Sequence, residues 1–122
     1  MIDGVKMAKK KIVLIIKSNP FSWKAFEALR QAVGLSMGHN LTIVFMKEGV
    51  YTLTDWKPEM IGIEPIDKSM EALGMTEAAV IAEEEAIRER GIKLKQWSIE
   101  IEIKPKEEIC ELVENAEVVI TW

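Results

Sequence analysis

The segment from Lys11 to Arg30, KIVLIIKSNPFSWKAFEALR, constrains this chain more than any other. Ile12 to Ile16 is an unbroken apolar run rich in β-branched residues and framed by Lys11 and Lys17. It is too short for a core helix and reads as a strand buried on both faces. Ser18-Asn19-Pro20 ends it, because proline donates no ladder hydrogen bond and restricts the residue before it. Ser22 is then placed to cap a helix in which Phe26, Leu29 and Val33 recur on one face beside Ala25 and Ala32. A buried strand running straight into an amphipathic helix opens a βαβ unit.

The rest of the chain repeats that alternation. Leu41 to Met46 is a second continuous apolar strand, ended by Lys47-Glu48-Gly49. Val50 to Trp56 begins a short helical turn, and Lys57 to Pro65, with two prolines and a glycine, reads as loop. Ile66 to Leu73 has helical spacing, with Gly74 as its stop. Ala78 to Ala82 is a brief third strand. Glu83 to Arg90 follows as a helix with acids first, Arg88 and Arg90 last, and Gly91 as terminator. Glu84 and Arg88 stand four apart, a favourable ion-pair spacing. Leu94 to Ile103 alternates Ile99, Ile101 and Ile103 with Glu100 and Glu102, the pattern of a half-buried strand at or near an edge. Pro105 opens a helix through Asn115, and Val118 to Trp122 is the fifth strand.

The expected fold is therefore α/β: a three-layer sandwich of a mostly parallel five-stranded sheet with helices on both faces, flavodoxin-like in type. Residues 1–10 read as a flexible N-terminal arm and 11–122 as one domain, in keeping with a length of 122 residues. A net charge of −4 argues against nucleic acid as a partner, and the basic cluster Lys6, Lys9, Lys10 and Lys11 reads as a solvated face. No apolar run approaches the roughly 20 residues that span a bilayer, and the N-terminus has no signal-peptide core, so a cytoplasmic protein without a membrane partner is expected. One cysteine excludes an internal disulfide. A charged share of 30% with only Gln31, Gln96 and three asparagines is the balance of thermophile proteins.

In sheets of this kind ligands sit beyond the carboxyl ends of the strands. That places Ser18, Asn19 and Pro20, Lys47, Glu48 and Gly49, Ala82 and Glu83, and also Ser98, around the expected site. Asp3, Asp55 and Asp67 are not at strand ends, which excludes a clustered-carboxylate Mg²⁺ site, and the turn from Ser18 to Ser22 lacks the glycines of a phosphate loop. A single histidine and a single cysteine cannot build a zinc centre, and no cofactor is expected. His39 lies at the entry of the second strand, opposite the site. Cys110, amid Glu107, Glu108, Glu111 and Glu114, is in a setting that disfavours the thiolate anion. Trp56 and Trp97 stand in polar contexts that point to an interface or to packing under loops, whereas Met37, Met60, Met70 and Met75 read as core filler.

LTIVFMKEGVYTL, preceded by SNPFSWKAFEALRQAVGLS and followed by MEALG and IRERGI, resembles the DsrE/DsrF/DsrH (TusB/TusC/TusD) sulfur-relay family, and the DsrF/TusC-like branch most. The resemblance spans Lys11 to Trp122 and implies a compact α/β fold that assembles into oligomers. It also implies that carrier members hold a persulfide on a cysteine ending the third strand, a position matched here by Ala82, just before Glu83-Glu84-Glu85. On that basis the expected role is a non-catalytic subunit of a sulfur-relay assembly, as a homo-oligomer or with DsrE-like and DsrH-like partners. Two alternatives remain: a carrier using Cys110, and a homo-oligomeric module that binds small anions through Ser18, Asn19, Ser22 and Lys47.

Overall fold

The computed structural model describes residues 9–122. Most of the expected N-terminal arm, and Lys6 of the basic cluster, lie outside them. Lys10 itself is tied down: its carbonyl accepts from Asn40 N at 2.9 Å, and its N–H donates to His39 Nδ1 at 3.0 Å.

Five strands form one sheet: β1 (Lys11–Ile16), β2 (Asn40–Phe45), β3 (Ala79–Glu83), β4 (Ile101–Lys104) and β5 (Val118–Thr121). Their order is β4-β3-β2-β1-β5, and every pairing is parallel. Four helices connect them: α1 (Lys24–Ser36), α2 (Asp67–Gly74), α3 (Glu84–Arg90) and α4 (Lys106–Glu114). From β1 to β4 the chain steps across the sheet in one direction, so right-handed crossovers put α1, α2 and α3 on one face. The return from β4 to β5 reverses direction and puts α4 on the other.

The core divides accordingly. Ile12, Leu14, Ile16, Leu41, Ile43 and Phe45 pack against α1, α2 and α3, while Val13, Val44, Met46 and Ile81 pack with Ile109 of α4. Successive strand residues point to opposite faces, and this is why β1 and β2 read as continuous apolar runs. One face has three helices and the other has one. Lys11, Thr42, Glu77 and Asn115 edge a hollow of about 410 Å³ where α4 leaves the amino end of that second face uncovered.

Several boundaries differ from expectation, each for a local reason. Ser22 does not cap α1: its Oγ donates to the Asn19 carbonyl at 3.3 Å, and Trp23, already helical, takes the N-cap place without a side-chain bond. The turn after β2 is a 3₁₀ helix over Lys47–Leu53, beginning directly at the strand exit, and a second one over Pro58–Ile61 interrupts the expected loop. Gly74 lies inside α2, which ends at Met75 in right-handed geometry. Gly91 does terminate α3, in left-handed geometry with φ 58°. The Glu84–Arg88 pair forms at 3.3 Å.

Only Ile101–Lys104 of the segment expected as the fourth strand joins the sheet. Before it the chain bonds elsewhere: Lys95 N and Trp97 Nε1 both donate to the Leu53 carbonyl, at 2.9 and 3.0 Å. Ser98 therefore precedes β4 and belongs to its entry, not to the carboxyl end where it was expected. The edge assignment of that segment holds, since β4 pairs with β3 alone. β5 is the other edge, and its Val118 and Val119 are exposed despite a mostly apolar run. Met70 is buried in the core, but Met37, Met60 and Met75 are exposed, contrary to the core-filler reading.

Candidate functional site

The carboxyl ends of the strands are held together by a small set of bonds. Met46 N donates to the Ile16 carbonyl at 3.0 Å, and Gly49 N donates to the Met46 carbonyl at 2.8 Å, which folds the exit of β2 back against β1. Lys17 N donates to the Trp122 carbonyl at 2.8 Å, joining the exits of β1 and β5. After β1 the turn is closed by Asn19, whose Oδ1 accepts from Phe21 N at 2.9 Å, the local bonding that suits asparagine to turns.

The acidic triplet Glu83-Glu84-Glu85 does not act as one negative cluster. Glu83 Oε1 accepts from Lys47 N at 3.1 Å and so fastens the exit of β2. Glu84 pairs with Arg88 along α3. Glu85 Oε1 accepts from Lys106 N at 2.9 Å, bridging the exit of β3 to the start of α4. Because α3 and α4 leave to opposite faces, that bond closes the crevice that would open between them.

β3 ends at Glu83, one residue later than expected. Ala82 is fully buried beneath the helices, whereas the side chain that reaches the strand-end turn is Glu83, itself 5% exposed. Lys47, which receives that carboxylate, has φ 50°, a left-handed conformation that a side chain disfavours. Lys47→Gly is expected to raise stability by about 0.5–1 kcal/mol, with the Glu83 bond retained. Chemical denaturation would measure it, and an unchanged or lower midpoint would show that the lysine side chain contributes packing that outweighs the backbone cost.

The other expected site residues are partly brought together. Asn19 and Glu48 face one cleft, whereas Ser22 serves the turn, Ser18 is half-buried outside the cleft lining, and the Lys47 side chain is exposed. Glu48 Oε2 lies 3.5 Å from Arg90 Nε, and Arg90 Nη1 in turn donates to the Ala86 carbonyl at 3.3 Å. Cys110 is exposed on α4 and is not among the residues lining that cleft. No described helix is long and apolar enough to cross a membrane.

Sequence reasoning missed three members of this end of the sheet. Phe21, Tyr51 and Trp56 line the cleft with Asn19, Pro20 and Glu48, and its volume is about 340 Å³. The Phe21 and Trp56 rings meet edge to face, 5.5 Å apart at 74°. The signal was available in Trp56, whose polar surroundings already argued against ordinary burial, but its partners come from two different exit turns.

No curated protein matches this chain. Among solved structures, the ychN protein from E. coli superposes with a TM-score of 0.79 at 24% identity, covering 93% of this chain and 99% of that one. At such identity the likeness establishes the fold, a parallel α/β sheet with helices on both faces. The model of the DsrE/DsrF-like family matches residues 10–122, nearly the whole sequence, and the chain belongs to that family.

Proposed function

We propose that, within the sulfur-relay function its family implies, this chain is a non-catalytic DsrF/TusC-like subunit of an oligomeric assembly rather than a sulfur carrier. The observation that carries this reading is the occupant of the third strand's end. Ala82 is sealed in the core, and Glu83 commits its carboxylate to the Lys47 amide. Neither position offers a thiol, and a persulfide anion beside Glu83 would meet a like charge in a poorly solvated place.

Cys110 is a poor substitute. It stands on the outer side of α4, next to Ile109, which is buried against the sheet, and its helix carries four glutamates and no arginine. Exposed Trp23, Met60 and Ile61, with Met37 and Met75 at the ends of α1 and α2, give the chain apolar surface that contacts with other subunits would cover.

Two measurements test the proposal. After incubation with a sulfurtransferase and a persulfide donor, intact mass should show no added sulfur on this chain. Co-expression with a DsrE-like paralogue bearing the strand-end cysteine should yield a stable complex. A sulfur adduct that disappears in Cys110→Ala, or a chain that stays monomeric and ignores such paralogues, would overturn it.

A further inference from the structure

The aromatic cleft is not used by the sulfur-relay reading, and its chemistry is specific. Phe21, Tyr51 and Trp56 present aromatic rings, and Phe21 is 67% exposed. The edge-to-face contact of Phe21 with Trp56 sets two rings at an angle and leaves a corner between them. Glu48 is the one charged side chain in the lining, which holds no lysine or arginine. Aromatic faces carry the negative end of a quadrupole, and a carboxylate beside them adds to that potential. An anion gains nothing in such a place; a cation with an apolar body gains from both. A volume of about 340 Å³ is at the small end of the ligand-site range and suits one ring or one alkylammonium group, not a dinucleotide.

We propose that this cleft binds a small organic cation, an amine or quaternary ammonium carried on an apolar body. Arg90 tunes it. Its Nε lies 3.5 Å from Glu48 Oε2, Arg90 itself is not part of the lining, and its charge offsets part of the carboxylate charge that the ligand would otherwise meet. The bond from Arg90 to the Ala86 carbonyl anchors the guanidinium to α3. The inference concerns this chain alone and stands whether or not the chain takes part in sulfur relay.

The test is titration of the isolated protein with phenylpropyltrimethylammonium, followed by the Trp56 indole N–H signal in NMR spectra. Two matched probes accompany it: the isostere with a quaternary carbon in place of nitrogen, and phenylbutyrate. The cation should give saturable shifts of Trp56, the neutral isostere should bind about 5–10-fold more weakly, and the anion weakest of all. Glu48→Gln should weaken binding of the cation about 3–10-fold without changing the neutral probe, while Arg90→Gln should strengthen it about 3-fold. Trp56→Ala should weaken it about tenfold or more, followed there through the Tyr51 ring signals. Glu48 is exposed, so its variant tests the charge requirement even if the tryptophan variant folds poorly. Equal binding of cation and isostere, a preference for the anion, no saturable shift, or an unaltered affinity in Glu48→Gln would each overturn the proposal.

Discussion

Replacing Gly49 by alanine is expected to destabilise the protein by about 3–5 kcal/mol, a large fraction of a small domain's whole stability. Gly49 is buried where the exit of β2 folds back over the end of β1, and its N–H is held by the Met46 carbonyl. A Cβ there would overlap the Ile16 carbonyl oxygen and lie 2.9 Å from its carbon. Both are backbone atoms of a central strand, so no rotamer change can relieve the clash. That same carbonyl accepts from Met46 N, so any movement that makes room breaks the bond closing the exit.

The control is Gly34→Ala. Gly34 is exposed within α1 and a Cβ there meets nothing within 4 Å, so the change should stabilise by up to about 1 kcal/mol through helix propensity. Urea unfolding of the two variants should move the midpoint in opposite directions. A Gly49→Ala protein within about 1 kcal/mol of the parent would show that the two strand exits are not locked together as described.

Ile109→Ala is expected to cost about 3–5 kcal/mol, against about 1 kcal/mol for Ile109→Val. α4 is alone on its face of the sheet, and Ile109 is its one fully buried residue. Leu112, Val113 and Ala116 are only partly buried around it. On the three-helix face, neighbouring helices can close around a truncated side chain; among the described residues no second helix lies beside α4. The cavity therefore becomes a path for water onto Val13, Val44 and Ile81. Amide hydrogen exchange should show α4 opening at lower free energy than α1 in this variant. Equal protection of the two helices, or a loss under about 1 kcal/mol, would mean that α4 is fastened chiefly by its ends, through Glu85 and Lys106.

Much of this architecture was legible before any coordinates. Continuous apolar runs identified β1 and β2 as strands buried on both faces because a residue that alternates faces must be apolar on both when both are covered. Gly91 marked the end of α3, since left-handed geometry there favours a residue without a side chain. The family resemblance agreed with the family to which the chain belongs. Errors gathered where local pattern and distant bonding compete. Ser22 has the chemistry of a cap, but Asn19, three residues earlier, takes its hydroxyl first. The stretch before β4 has strand-like alternation, but Leu53 claims its donors. β5 is mostly apolar, like an interior strand, yet it pairs with β1 alone and lies at an edge.

The candidate site divides along the same line. Sequence alone determined that the chain makes a parallel α/β sheet, that its polar turns gather at the strand ends, and that one cysteine sits among glutamates, since each follows from neighbours within a few residues. Only the tertiary structure decided that Glu83, not Ala82, reaches the strand-end turn, that Glu83, Glu84 and Glu85 part to three separate partners, and that Phe21, Tyr51 and Trp56 share a cleft with Glu48. These depend on register and on crossovers between segments dozens of residues apart. Hydrophobic periodicity reports which side of an element is covered, but not which distant backbone group will meet a given side chain.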